Sequence, residues 1–246
     1  MFDIPMSNPY ESDKLLSEYL LFHYGTAEEI LPEDTPAGMA DALDFAVRTQ
    51  RHFSADEASR GLDLGCAVGR SSYEMSRSCG EVIGIDFSHA FVDAATALRD
   101  APLPYRRLDE GHGWTPLEAR LPDGTDPSRV CFEQGDAMNL RDDLGDFDRV
   151  HAANLLCRLP EPERLLDRLP SLVRPGGELI LATPCTWLGE FTPPENWPDG
   201  PTLDWLQRHL DPSFELLSTR DEPFLIRETA RKFQWTSSQL SLWRRR

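Results

Sequence analysis

The chain has 246 residues, 40% of them hydrophobic and 27% charged, with a formal net charge of −17. That length suits one large domain or two small ones, with enough apolar residues for a buried core. The acidic balance argues against nucleic acid or an anionic membrane as partner, because both demand a basic footprint and the dense basic run is only Arg244–Arg246.

Residues 1–55 read as a helical cap. MFDIPMSNPYESDK has neither a basic start nor an apolar signal core, so a cytoplasmic protein is expected. Ser12 caps a helix that carries Leu15, Leu16, Tyr19, Leu20 and His23 at helical spacing, with Gly25 as the stop. EEILPEDTP breaks the pattern, and Pro36 opens a second helix with Met39, Leu43, Ala46 and Val47 on one face.

From Gly61, strand and helix alternate. GLDLG ends a strand, GRSSYEMSRSCG is a helix ending at Gly80, and EVIGIDF is the second strand. Ser88 caps a helix whose buried stripe is Phe91, Val92, Ala95 and Leu98. PYRRLDEGHGWTPLEARLPDGTDPS is too long for a plain connection and predicts a small hairpin. RVCFEQGDA, FDRVHAANLL and GELILATP are further strands, the last two separated by a Leu-rich helix that stops at RPGG. A helix at TLDWLQRHL, a strand at FELLSTR, a loop DEPFLIRETARKFQW and a last strand WTSSQLSLWRR complete the chain. Repeated βα units predict an α/β fold, a parallel sheet with helices on both faces.

The five cysteines form no C-x-x-C pair and no histidine stands at zinc-ligand spacing, so a reduced protein without a metal is expected. No apolar run approaches the roughly 18 residues of a membrane span.

GLDLGCAVGRSS runs from a strand through a Gly-rich turn into a helix, which lets backbone N–H groups approach a ligand. Asp86 ends the next strand roughly 20 residues on, where a carboxylate can accept ribose hydroxyls. The spacing D-L-G-C-A-V-G departs from the G-x-G-x-x-G of dinucleotide sites. It resembles the first motif of class I methyltransferases, which bind S-adenosylmethionine (SAM), with Ala67 where a Gly is frequent. GDAMNL, the strand FDRVHAANLL and the RPGGEL entry to strand five follow in the order of that class.

This resemblance implies a Rossmann-like, seven-stranded, mostly parallel sheet under an N-terminal cap, in one domain spanning residues 1–246. Residues 56–185 form the SAM-binding core, and 186–246 the acceptor loop and last strands. It implies SAM as cofactor and S-adenosylhomocysteine as product. Asp63, Gly65, Cys66, Ala67, Gly69 and Arg70 are the expected contacts along the turn. Asp86, Phe87 and Ser88 follow strand two. Asp136 bonds the adenine amino group with Ala137 beside the ring, and Asn154 meets the methyl donor. Plainer roles compete: Gly65 and Gly69 as turn glycines, Asp63 ordering the loop, Asp86 capping a helix, Arg70 solvated, Cys66 filling space.

Ligands of open parallel sheets bind at the carboxyl ends of strands. AANLLCR, TPCTWLGEF and DEPFLIRETARKFQW would all lie there, lining the acceptor side with Asn154, Trp187, Phe191, Arg227 and Arg231. Asn154-Leu155-Leu156-Cys157 lacks the prolines and aromatic of nucleic-acid amino-methyltransferases. YLLFHYG, LDLGCAVGRSS, EVIGIDFSHAFVDAA, AANLLCRLP, TWLGEFTP and PFLIRETARKFQW resemble the methyltransferases of ovothiol biosynthesis, over nearly the whole chain. Gly189 stands where that family often carries Glu.

The resemblance implies methyl transfer to the imidazole Nπ of 5-thiohistidine or its selenium analogue, by a free-standing enzyme. Asn154, His23, Tyr24 or Glu190 would fix the acceptor's tautomer, Trp187 and Phe191 would sandwich its ring, and Arg227 or Arg231 would pair with its carboxylate. Tyr10, Tyr19 and Tyr24 would close a lid. Two other readings remain at this level: methylation of another small amine, thiol or carboxylate, and a SAM-binding regulatory subunit without turnover.

Overall fold

The computed structural model describes residues 9–246. The first eight residues, part of the expected cap and of the segment read for an export signal, lie outside the described residues.

The cap begins with α1 (Asp13–Tyr24), where Ser12 Oγ accepts from Leu15 N as the spacing predicts. Its end at Gly25 is steric, since a Cβ there would stand 2.6 Å from the Leu21 carbonyl oxygen. A single turn, α2 (Ala27–Ile30), carries a Thr26–Glu29 capping box. The expected helix from Pro36 is broken. Ala40–Ala42 form a 3-10 turn, Asp44 takes a left-handed φ of 56°, and only α3 (Phe45–Gln50) is α-helical. Met39 and Leu43 therefore fall outside it.

Strand β1 (Ala58–Leu64) leads through the glycine turn to α4 (Arg70–Met75). That helix is shorter than expected, because Cys79 and Gly80 already belong to β2 (Cys79–Asp86), with Cys79 paired to Ala58 of β1. Ser88 caps α5 (His89–Leu98), accepting from Phe91 N. The predicted hairpin is present as β3 (Leu103–Glu110) and β4 (Gly113–Ala119), a separate antiparallel pair. The core continues with β5 (Val130–Gln134), β6 (Phe147–Ala153), α6 (Pro162–Leu172), β7 (Val173–Thr183) and α7 (Thr202–Leu210).

The largest departure comes last. β8 (Phe214–Arg227) and β9 (Phe233–Arg245) form one long ribbon, so DEPFLIR is strand and only residues 228–232 turn. β8 is the edge strand, where Pro223 can sit without removing a bond from an inner ladder.

The main sheet has seven strands in the order β5-β2-β1-β6-β7-β9-β8, with β9 antiparallel to both neighbours. This is the Rossmann-like sheet that the resemblance implies. Leu179 and Leu181 of β7 enter the core that holds α6 and α7, while Ile180 and Ala182 enter the core beneath the cap. Alternation along a strand thus feeds two apolar layers, which is why ELILA reads as continuously apolar.

Candidate functional site

Three strands end in left-handed backbone at residues other than glycine: Ala67 after β1 (φ 47°), Asn154 after β6 (φ 57°) and Cys185 after β7 (φ 54°). Such conformations are disfavoured for L-residues, and they cluster where a fold shapes a site. Gly65 (φ 69°) and Gly69 (φ 86°) complete the turn after β1. A Cβ on Gly69 would lie 2.6 Å from the Phe132 ring and 2.9 Å from Ala95, so glycine is demanded there by packing as well as by φ.

Asp86 organises the neighbouring strand end. Its Oδ2 accepts from Ala67 N and its Oδ1 from Ser88 N, both at 2.9 Å. Burial pushes the carboxyl up, against those backbone donors. Gly135 N donates to the Asp86 carbonyl, which ties the exit of β5 beside that of β2. Asp136 Oδ1 then accepts from Met138 N at 2.8 Å, with Ala137 buried beside it. Phe87 is 61% exposed, its carbonyl held by Gln134 Nε2. Two carboxylates and a glycine turn with adjacent ends form an acceptor set suited to ribose hydroxyls and an adenine amino group.

Several expected contacts serve the scaffold instead. Asp63 is 1% exposed, with Oδ1 2.8 Å from His151 Nδ1 and Oδ2 accepting from Ser72 Oγ at 2.7 Å. His151 Nε2 in turn meets Thr49 Oγ1, so Asp63 anchors a buried polar chain between β1, α3 and α4. Ser88, also 1% exposed, caps α5 and donates to the Tyr10 carbonyl. Cys66 fills the loop, its thiol pushed up by burial and by Asp86 and Asp63. Arg70 pairs with Glu74 at 3.0 Å and donates to the His23 carbonyl, locking the cap onto α4.

The cap closes over the strand ends through aromatic groups. Tyr24 Oη donates to the Val68 carbonyl at 2.8 Å. Tyr10 and Tyr19 meet edge to face, and Tyr19 stacks on His23. Burial raises all three phenols and, with Arg70 nearby, lowers His23 to about 3, so this roof is uncharged near neutral pH. His23 Nδ1 is buried without a hydrogen-bond partner among the described residues.

The acceptor side differs from expectation. Asn154 Oδ1 accepts from Ser238 Oγ of β9 at 2.6 Å, and its backbone N donates to the Ala182 carbonyl. Trp187 is half-buried against the core that holds α7, donating to Thr202 Oγ1 at 3.1 Å and meeting Trp205 edge to face. It is no free wall of a pocket. Phe191 lies under the Arg158 guanidinium at 4.7 Å, while Glu190 is exposed on its turn. Arg227 is 7% exposed and donates to the Glu29 and Ile30 carbonyls, with Asp109 3.5 Å away. Its place inside β8, not on a loop, turns it into a brace under α2. Arg231 is exposed in the β8–β9 turn, whose Ala230 N docks on the Asp109 carbonyl of β3.

Two residues escaped the sequence reading. Glu11 accepts from His89 N and Ala90 N, capping α5 from across the chain. Arg158 joins the exits of β6 and β7; its signal lay in AANLLCR, read only for its Asn. A cavity of about 430 Å³ between α3 and α4 is lined by Gln50, Arg51 and Arg77 and reaches only Arg70 of the expected contacts, so the strand ends define the site. Among the described residues no group of His, Cys, Asp or Glu is placed to hold a metal, and no helix is long and apolar enough to cross a membrane.

A family profile described as a methyltransferase domain matches residues 33–237. The methyltransferase GfsG of Streptomyces halstedii is 30% identical over 122 residues, 49% of this chain and 36% of that protein. The ubiquinone biosynthesis O-methyltransferase of Pseudomonas aeruginosa (strain LESB58) is 28% identical over 123 residues, 50% of this chain and 43% of that protein. The chain thus matches less than half the length of these curated relatives. The crystal structure of the N-methyltransferase NodS from Bradyrhizobium japonicum WM9 with S-adenosyl-L-homocysteine superposes with a TM-score of 0.54. That match covers 94% of this chain and 98% of NodS at 14% identity, a likeness of fold. With most of its length matched by the profile, the chain belongs to the class I, SAM-dependent methyltransferase-domain family.

Proposed function

We propose that the protein transfers a methyl group from SAM to the imidazole Nπ of 5-thiohistidine or its selenium analogue. The observation that carries this reading is the uncharged aromatic roof of Tyr10, Tyr19, His23 and Tyr24 over the strand ends. A flat, neutral ring nitrogen suits that roof, and it needs no base to expose its lone pair.

Asp86 would hold the ribose, Asp136 the adenine amino group, and the turn Gly65–Gly69 the amino-acid end of SAM. SAM supplies, when bound, a methyl group on a sulfonium sulfur that an uncharged imidazole nitrogen can take directly. The chain's part is then to orient the acceptor and exclude water. His23, uncharged at neutral pH, would offer a ring nitrogen as acceptor for the acceptor's Nτ–H, which leaves the lone pair on Nπ. Asn154, with Oδ1 occupied by Ser238, keeps its Nδ2 donor for the ring's thiolate or selenolate.

The acceptor is a small molecule: a net charge of −17 opposes nucleic acid and anionic membrane alike. Five unpaired cysteines support a cytoplasmic setting. The test is incubation with SAM and 5-thiohistidine, against plain histidine and a phenolic acceptor, reading the mass of one added methyl. Methylated thiohistidine is expected. Turnover of the phenol alone would overturn the reading and place the chain with O-methylating enzymes.

A further inference from the structure

We infer that Arg158 holds the carboxylate of the acceptor and makes the site selective for amino acids over the corresponding amines. This rests on the acceptor class proposed above. Arg227 and Arg231, the sequence-based candidates for that carboxylate, are a buried brace and an exposed turn residue, so the pairing role falls elsewhere.

Arg158 ends the 3-10 turn Leu156–Arg158 that follows β6. Its Nη1 donates to the Cys157 carbonyl at 3.1 Å and to the Thr186 carbonyl at 3.4 Å. The guanidinium lies 4.7 Å above the Phe191 ring, and its charge is felt by the Tyr10 phenol beside it. Three segments therefore converge on one cation: the strap before α1, formed by the 3-10 turn Pro9–Glu11, the exit of β6 and the exit of β7.

What the guanidinium lacks is an anion. Among the described residues no carboxylate stands within ion-pair distance of Arg158, although acids outnumber bases 42 to 25 in this chain. Arg48 pairs with Glu222, Arg70 with Glu74 and Arg107 with Asp109, whereas Arg168 and Arg245, which also meet neutral groups, lie at the entry to β7 and away from the strand ends that form the site. A half-buried guanidinium with only neutral dipoles around it is poised for an incoming anion, and its planar fork matches a carboxylate two bonds at a time. The Phe191 ring fixes the plane of that fork. The site asks for an acceptor that bears a carboxylate as well as an imidazole, and Arg158 discriminates such an amino acid from the amine that lacks the carboxylate.

The experiment compares 5-thiohistidine with its decarboxylated amine in steady state, and L-histidine with histamine in calorimetric titration of the S-adenosylhomocysteine-loaded protein. The wild type should favour the carboxylate partner in both pairs, and Arg158→Ala should reduce the kcat/KM ratio for the first pair about a hundredfold. Arg158→Lys, which keeps the charge and loses the fork, should reduce it about tenfold. A SAM titration confirms that each variant folds. An unchanged ratio in either variant, or wild-type indifference to the carboxylate in the titration, overturns the assignment. Methylated thiohistidine with no carboxylate preference would defeat Arg158 alone. A carboxylate preference without methyl gain would defeat the thiohistidine reading and leave Arg158 standing.

Discussion

The two halves of the site are built on different principles. On the cofactor side, the turn after β1 and the carboxylates after β2 and β5 come from short contiguous motifs whose geometry is set locally. Gly65 and Gly69 have the φ that the turn needs, and Asp86 binds the backbone of Ser88, two residues on, and of Ala67 in the adjacent glycine turn. On the acceptor side, each polar group is positioned by a distant partner: Asn154 by Ser238 of β9, Arg158 by Thr186, Phe191 and Tyr10. Local geometry makes the first half rigid and general. Non-local assembly lets the second half vary with substrate without disturbing the first.

This contrast breaks if a change on the cofactor side proves mild. Gly69→Val introduces a β-branched residue at φ 86° against Phe132 and Ala95. We expect a loss of about 3 kcal/mol of stability, from left-handed strain and overpacking together. Urea unfolding with an unchanged m-value measures it. A loss below about 1 kcal/mol would mean that the turn adapts and the half is not rigid.

Trp187→Ala sharpens the comparison from the other side. A pocket wall would raise the acceptor KM and leave stability alone. The Thr202 bond and the Trp205 contact hold this ring against the core instead, so we expect about 2 kcal/mol lost in thermal or urea unfolding and little change in acceptor KM. The opposite pattern would return Trp187 to the acceptor side.

The strap joins the halves, and Glu11→Ala tests how firmly. Removing the carboxylate that caps His89 N and Ala90 N should lower stability by about 1 kcal/mol. It should also weaken SAM binding several-fold in calorimetry, because Tyr10 is carried on the same strap. Unchanged SAM affinity would show that the strap is no part of the cofactor side.

The same division decided what could be read from the residues alone. Ser12, Ser88 and the glycine turn declare themselves through neighbours three or four positions away, and each was placed correctly. DEPFLIR looked like a loop because Asp221, Glu222 and Pro223 are poor strand formers. It is held in β8 by β9 along its whole length, and Glu222 is held by Arg48 and by His52 at 2.7 Å, partners far away in the chain. As a loop this segment would put Arg227 at a pocket; as strand it puts Arg227 in the scaffold. The break at Asp44 was hidden for a related reason, since its left-handed φ leaves no mark on residues 36–50 as a pattern.

The smallest expected effect concerns the charge on Asp86, where the cofactor side accepts a stability cost for binding. Burial raises this carboxyl, so the folded protein holds its proton more tightly than the unfolded chain does. Its contribution to stability is therefore fully present below the ordinary carboxylate pKa and is lost as pH rises through the raised folded value. Asp86→Asn removes that dependence. In the absence of SAM, the difference in unfolding free energy between wild type and Asp86→Asn should shift against the wild type as pH climbs through that window, then stay flat above it. SAM affinity at neutral pH should move the other way, falling at least tenfold in the variant because the ribose hydroxyls lose a charged acceptor. A variant that loses SAM affinity with no pH-dependent gain in stability would show that the backbone donors of Ala67 and Ser88 outweigh burial, and that the charge at the end of β2 is held without strain.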